Sequence, residues 1–168
     1  RDEAKLLEAM RRAVKLAATG EHLVTLGVKP DSPNTAYGYI KRGQKLGQDE
    51  YRVARFFEKP SAERAVKYLE SGDFLWNSGM FVWRASAFLE AVKSEMPELA
   101  TGLERIGKAL GTKDQETVLK DVFATLDSVS VDFGILEHVR NCAVVETGAI
   151  GWTDVGSWDA WADRFSTD

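Results

Sequence analysis

Two short segments carry polar side chains of the kind that bind sugars and phosphates. In residues 74–83, Asn-Ser-Gly interrupts an aromatic and aliphatic run. Burying the Asn77 side chain without partners would cost about 1–3 kcal/mol, whereas Gly79 lets a ligand or another strand approach the backbone. A polyhydroxylated ligand would supply the missing partners. The alternative is an Asn that satisfies its own backbone in a turn before a strand over residues 80–84.

The second segment places a carboxylate and an ammonium group after the strand predicted for residues 51–57. Pro60 ends that strand and is expected to hold Lys59 in an extended conformation. Glu58 is suited to accept hydrogen bonds from sugar hydroxyls, and Lys59 to meet a phosphate as a point charge. Neighbours on an ideal strand point to opposite faces, so both side chains reach one ligand only if the strand bends before Pro60. The alternative is a surface ion pair worth at most about 1 kcal/mol.

A third candidate carboxylate and a glycine between two aromatics complete the set. Asp154 lies between two tryptophans in residues 151–158 and could ligate Mg²⁺, which takes oxygen ligands and usually retains waters and phosphate oxygens. Gly38 stands between Tyr37 and Tyr39, so its backbone could come within hydrogen-bonding distance of a sugar hydroxyl. A strand glycine at a bulge is the alternative.

The amino-acid composition limits the classes of function that the chain can have. The 168 residues include 22 basic and 26 acidic side chains, and the net charge of -4 provides no basic face for nucleic acid. Long apolar runs and a signal peptide are absent from the sequence, which predicts a cytoplasmic protein that does not enter a membrane. Cys142 is the single cysteine, so an internal disulfide is excluded and a zinc site is not expected.

Periodicity and end signals predict an alternation of helices and strands. Asp2 is a candidate N-cap and Gly20 a stop for a first helix. The Asp132 side chain fits an N-cap and is interpreted as structural, and Trp76 and Trp83 are interpreted as core residues. The predicted strands are 22–28, 37–42, 51–57, 80–84 and 143–146, with a hairpin connection over 45–50. The predicted helices are 2–20 with Leu7, Met10, Val14 and Ala17 as its apolar face, 61–70, 86–95, 97–110, 113–126, 132–139 and 157–165, the last with Trp158, Trp161 and Phe165 buried.

Six motifs resemble the sugar-1-phosphate nucleotidylyltransferase family, in the family's order and over nearly the whole chain. Asp-Val-Gly-Ser-Trp after the aromatic Asn-Ser-Gly favours the guanylyl, mannose-using branch. The resemblance implies an α/β chain that is a portion of a nucleotide-diphospho-sugar transferase (Rossmann-like) fold, with a mixed β-sheet flanked by helices. The motifs occupy residues 23–30, 37–40, 57–60, 76–81, 130–133 and 152–158.

The resemblance also implies a reaction and the residues that serve it. The substrates would be mannose 1-phosphate and GTP, and the products GDP-mannose and pyrophosphate. Lys59 and Asp154 would be catalytic, with Asp154 as a ligand of the cofactor Mg²⁺. The substrate-binding residues would be Tyr37, Gly38, Glu58, Lys59 and Asn77.

The family's glycine-rich nucleotide loop has no counterpart in the sequence. Residues 1–168 are therefore interpreted as the C-terminal, sugar-phosphate-binding half of a catalytic domain, without the N-terminal nucleotide-binding half. Alone, this chain is expected to form no GDP-mannose and to self-associate through apolar surface, as a homo-oligomer or by aggregation. Two alternatives stay open, namely a related nucleotidylyltransferase of other specificity and a non-catalytic module that binds sugar phosphates.

Overall fold

The computed structural model describes residues 2–156 and 158–162, which form a mixed β-sheet flanked by helices. This arrangement confirms the predicted α/β class. The strands are β1 (Leu23–Val28), β2 (Tyr39–Gly47), β3 (Glu50–Phe57), β4 (Phe74–Val82) and β5 (Cys142–Glu146). The helices are α1 (Glu3–Ala18), α2 (Ala62–Ser71), α3 (Ala85–Glu95), α4 (Pro97–Ala109), α5 (Gln115–Thr125), a π-helix (Asp132–Leu136) and α6 (Trp158–Ala162).

The five strands are hydrogen-bonded in the order β1, β4, β2, β3, β5, and β5 returns to pair with β1, so the sheet closes into a ring. β5 runs parallel to β1, and the other neighbours are antiparallel. The long β2–β3 hairpin closes the ring, because one end of it pairs with β4 and the other with β5.

The parallel pair β1 and β5 is buried on both faces, which explains its nearly continuous apolar sequence. Alternate side chains enter different clusters: Leu23 and Val144 join a core that includes α3 and the π-helix, while Val24 and Val145 pack beneath α1. Cys142 belongs to the first core, and its burial raises the pKa of the thiol to about 12. It is the small buried strand residue that the sequence predicted.

Local end signals in the sequence predict the starts of three helices. The Asp2 carboxylate accepts a hydrogen bond from the Lys5 backbone N–H at 3.0 Å, which caps α1. Pro97 is the first residue of α4, where its missing N–H costs nothing. Ser61 precedes α2 as predicted, although its side chain makes no capping hydrogen bond.

The apolar face predicted for α1 is wrong for two of its four residues, whereas Ala17 is buried and Met10 packs against the same core. The helix buries Ala9, Ala13 and Ala17 against the sheet, while Leu7 and Val14 are 48% and 55% exposed. Small alanines let the helix approach β1 and β5 closely, and the larger Leu6, Met10 and Leu16 pack only partly buried beside them.

Several further boundaries differ from the sequence predictions. β2 continues to Gly47, into the residues assigned to the hairpin connection, and β4 begins at Phe74 instead of Met80. The helix expected over 132–139 is a five-residue π-helix. Trp158 and Trp161 are 83% and 50% exposed, so the prediction that they form a buried face is wrong; they contact each other edge to face instead. Ser157 and Phe165, assigned to the same helix, lie outside the described residues.

Within the described ranges, no helix has both the length and the apolar character needed to cross a membrane.

Candidate functional site

Three of the predicted site residues converge where β2 begins and β3 ends. Gly38 directly precedes β2, and a Cβ placed on it would lie 2.8 Å from Glu58 Oε2 and 3.5 Å from Asn77 Cβ. The Gly38 carbonyl accepts a hydrogen bond from the Asn77 N–H at 2.8 Å, which extends the pairing of β2 with β4. Position 38 favours glycine for a steric reason, because a side chain there would occupy the space beside both Glu58 and Asn77.

A bulge in β4 presents Asn77. Between the pairs Thr25–Phe81 and Gly27–Asn77, β1 contributes one residue and β4 contributes three. Gly79 has a φ of 69°, the left-handed conformation that glycine adopts without strain. The Ser78 hydroxyl donates to the Leu26 carbonyl at 2.6 Å and holds the bulge to β1. The tripeptide Asn77-Ser78-Gly79 thus lies inside a strand. The sequence had suggested either a ligand contact or a turn that precedes the strand.

Lys59 supplies the bend that its side chain and that of Glu58 need in order to reach one ligand. Its φ is 42°, so the prediction of an extended conformation is wrong. A left-handed residue breaks the alternation of the strand, and the Lys59 Nζ lies 3.6 Å from Glu58 Oε1 on the same side. Both side chains remain largely exposed, 67% for Lys59 and 56% for Glu58, so both are accessible to a ligand.

Asp132 joins the site, although it was interpreted as an N-cap. Val131 occupies the cap position of the π-helix, and the Asp132 carboxylate accepts a hydrogen bond from Asn77 Nδ2 at 2.7 Å. The two residues are 55 positions apart in the sequence. The Ser-x-Asp motif was the one available signal, but it did not identify a partner.

The site is rich in acceptors. Partial desolvation raises the pKa of Glu137, which follows the π-helix; His138 lowers it, while the nearby carboxylates of Glu58 and Asp132 raise it further. Such a surface favours a ligand with several hydroxyl groups, because hydroxyls can donate to carboxylates. A bound phosphate would have to be offset by a cation, and Lys59 stands at the edge of these carboxylates.

Tyr37 connects this site to the segment that carries Asp154. Its ring meets Trp76 edge to face at 5.0 Å between centroids, and Trp152 at 5.2 Å. Trp76 is 4% exposed, which confirms its assignment to the core. The contact with Trp152 holds residues 151–156 beside the start of β2.

Asp154 itself stands apart from the cluster. Its exposed carboxylate turns back toward Gly156, where a Cβ would lie 3.0 Å from Oδ2. In the part of the chain that the structure describes, its carboxylate forms no hydrogen bond or ion pair with another residue, and no group of three or more His, Cys, Asp or Glu side chains is arranged to hold a metal. Asp154 can therefore supply one ligand to a cation but does not make a metal site with its neighbours.

Replacing Gly38 with alanine is expected to weaken the binding of a polyhydroxylated ligand, with a sugar phosphate as the titrant, by about tenfold, because the new methyl group displaces the Glu58 carboxylate. The free energy of unfolding should change by less than about 1 kcal/mol, since the side chain that must move is flexible. Calorimetric titration and urea unfolding measure the two quantities. Gly107→Ala is the matched control, because open space surrounds Gly107; equal affinities for the two variants would contradict the assignment of Gly38.

Comparisons with known proteins identify the family of the chain. The family model described as Nucleotidyl transferase matches residues 2–168. The chain is 40% identical to mannose-1-phosphate guanylyltransferase RfbM of Salmonella typhimurium over 168 residues, which is 99% of this chain and 35% of that protein. It is 39% identical to the mannose-1-phosphate guanylyltransferase of Escherichia coli over 167 residues, or 95% of this chain and 34% of that protein.

Two solved structures share the fold. A Thermus thermophilus protein named mannose-1-phosphate geranyltransferase aligns with a TM-score of 0.82 at 34% identity, over 99% of this chain and 47% of that one. A Helicobacter pylori protein named mannose-6-phosphate isomerase aligns with a TM-score of 0.75 at 32% identity, over 92% and 60%. The chain spans about a third of the length of the curated relatives, within their N-terminal region. Its description as a C-terminal portion is therefore wrong.

Proposed function

The chain belongs to the nucleotidyl transferase family, and from that premise we propose that it provides the sugar-phosphate side of a mannose-1-phosphate guanylyltransferase. The observation that carries the proposal is the convergence of Gly38, Glu58 and Asn77, with Lys59 at its edge. The relatives of about 40% identity are named for this activity.

The roles follow from the chemistry of each group. Glu58 can only accept hydrogen bonds when ionised, so it orients hydroxyls of the sugar. Asn77 supplies an amide to the same ring, and Gly38 leaves the space that the ring needs. Lys59 meets the phosphate with a charge-assisted hydrogen bond. Tyr37 forms the apolar side of the site together with Trp76 and Trp152.

In the proposed reaction, a phosphate oxygen of mannose 1-phosphate attacks the α-phosphorus of GTP. The new P–O bond gives GDP-mannose, and the bond to the leaving pyrophosphate breaks. The nucleophile is already anionic, so a protein base is not required. What the chain contributes is position, because a correctly held nucleophile lowers the entropic part of the barrier. Lys59 would keep the attacking phosphate in place while the sugar is held through its hydroxyls.

Mg²⁺ is the proposed cofactor, and Asp154 would be one of its ligands. The Asp154 carboxylate is exposed and is not engaged by another side chain in the described ranges, so it is free to bind a hard cation. Mg²⁺ is commonly held by one or two carboxylates together with substrate phosphates. When bound, it would neutralise phosphate charge as the reaction proceeds. GTP as a substrate also favours a cytoplasmic location.

Asp154→Asn should leave the affinity for mannose 1-phosphate unchanged when Mg²⁺ is absent, because Asp154 stands apart from Glu58, Lys59 and Asn77. In the full-length enzyme with GTP, the variant should need a higher Mg²⁺ concentration for half-maximal GDP-mannose formation, since the substitution removes a charged ligand and keeps its shape. Titrating Mg²⁺ against product formation measures the shift. An unchanged Mg²⁺ dependence would remove Asp154 from the proposed metal site.

Binding of sugar phosphates tests the proposal directly. We expect the chain to bind mannose 1-phosphate more tightly than glucose 1-phosphate or mannose 6-phosphate, by about tenfold, because both the hydroxyl pattern and the phosphate position must fit. The comparison with mannose 6-phosphate matters because one structural relative is named as an isomerase of that sugar. Calorimetric titration with the three ligands gives the ranking. Preference for glucose 1-phosphate would favour a related nucleotidylyltransferase, and equal weak binding of all three would contradict the proposal.

A further inference from the structure

The side chain of Asn77 forms hydrogen bonds with several other residues of the protein, in addition to any that it would form with a ligand. Its Nδ2 donates to Asp132 Oδ1 at 2.7 Å, and its Oδ1 accepts from the Gly79 N–H at 3.2 Å. The buried Thr25 hydroxyl also lies 3.3 Å from the Asn77 Oδ1 and 3.3 Å from the Met80 carbonyl, so its proton is available to either.

These partners determine which way the amide faces. A carboxylate can only accept, and a backbone N–H can only donate. If the Asn77 amide turned over, its oxygen would face the Asp132 carboxylate and its NH₂ would face the Gly79 N–H. Both contacts would then be repulsive. The oxygen is therefore held toward β1 and the bulge. Among the described residues, the second N–H of Nδ2 is the only hydrogen-bonding group of the Asn77 side chain left without a protein partner.

We propose that Asp132 is a positioning residue that fixes the Asn77 amide in one orientation, so that Asn77 serves the sugar as a hydrogen-bond donor only. This inference rests on the proposed function for its ligand. Glu58, whose Oε2 lies 2.8 Å from where a Cβ on Gly38 would stand, is an acceptor only. The site thus has a fixed polarity: one sugar oxygen must accept from Asn77, while a hydroxyl must donate to Glu58.

The requirement for a carboxylate at position 132 follows from the same reasoning. An Asn in its place could still accept through its oxygen, but it could also turn over and offer NH₂, which would stabilise the opposite orientation of Asn77. Size and hydrogen-bonding capacity would be preserved, while the fixed polarity would be lost. Asp132→Asn should therefore behave as an intermediate between the native chain and Asp132→Ala.

The first measurement needs no ligand. In ¹H–¹⁵N spectra of the chain, the side-chain NH₂ signals of Asn77, identified by their loss in Asn77→Ala, should exchange slowly with water. Asp132→Ala should accelerate that exchange by about tenfold, because a charge-assisted hydrogen bond is removed. Exchange that is already fast in the native chain, or is unchanged in the variant, would overturn the proposed lock.

The second measurement is a double-mutant cycle on the affinity for mannose 1-phosphate. Asp132→Ala should weaken binding by about tenfold in the native background and by less than about twofold in the Asn77→Ala background, because a residue that acts through Asn77 has nothing left to orient. Equal losses in both backgrounds, or no loss in the native one, would overturn the proposal. Asp132→Asn replaces Asp132→Ala if the latter does not fold, with about threefold weaker binding expected.

Asp121→Ala, an exposed charge removal on α5, is the matched control and should change neither measurement. The two experiments also separate this inference from the proposed function. If the native chain fails to bind mannose 1-phosphate, the proposed function is wrong, while the exchange of the Asn77 amide still decides whether Asp132 fixes it.

Discussion

Replacing Lys59 with alanine is expected to weaken the binding of mannose 1-phosphate by about ten- to a hundredfold, the loss typical of a hydrogen bond between charged groups. The free energy of unfolding should change by less than about 1 kcal/mol, because the ion pair with Glu58 is largely exposed. Alanine keeps a Cβ at the left-handed position, so the backbone strain there is the same in both proteins. Calorimetric titration and urea unfolding separate binding from stability.

Two further variants make the Lys59 experiment specific. Lys67→Ala removes the same charge from an exposed site on α2 and should leave the affinity within about twofold. Lys59→Arg keeps the charge but changes the shape of the donor, so it should recover part of the lost affinity. If Lys59→Ala binds mannose 1-phosphate as the native chain does, Lys59 is only a member of a surface ion pair.

Leu75→Ala is expected to lower the free energy of unfolding by about 2–5 kcal/mol. Leu75 is 1% exposed, pairs with Ile40 across β2 and β4, and lies over Gly27. A Cβ on Gly27 would stand 2.6 Å from Leu75 Cδ1 and 2.7 Å from Val144 Cγ2, so the side chains fill that space completely. Truncation leaves a cavity beside a position that has no side chain to fill it.

The control for this prediction is Leu89→Ala on α3, where the side chain is 47% exposed and should cost less than about 1 kcal/mol. Guanidinium unfolding of the two variants gives the comparison. A loss for Leu75→Ala no larger than that for Leu89→Ala would mean that the core relaxes around the cavity, and the close contact at Gly27 would then have no energetic consequence.

The features that could be predicted from the sequence are those with local causes. The Asp2 cap and the start of α4 at Pro97 depend on residues within one helical turn, so their signals lie side by side in the sequence. Glu58 and Asn77 were singled out because a charge at a strand end and an amide in an apolar run are locally anomalous. The structure places both beside Gly38.

The features that could not be predicted depend on partners distant in the chain. The bulge at Asn77 exists only relative to β1, and the hydrogen bond from Asn77 to Asp132 joins this bulge to the start of the π-helix, 55 positions away in the sequence. The same holds for α1, because whether a helix presents its leucines or its alanines to a sheet is decided by how closely the two can approach. Lys59 adds a further case, since its left-handed φ contradicts the usual effect of a following proline.

The closed order of the sheet has a consequence for how copies of the chain can meet. Each of the five strands has a hydrogen-bonded neighbour on both sides, so none of them is an edge strand over its whole length. Addition of a foreign strand, the usual first step toward cross-β aggregates, is therefore restricted to the parts of β2 and β3 that extend beyond their short pairings with β4 and β5. Association between copies can instead proceed through side chains, for which the exposed Leu7 and Val14 of α1 offer an apolar surface. Assemblies of that kind would keep the native fold and would dissociate into single chains on dilution.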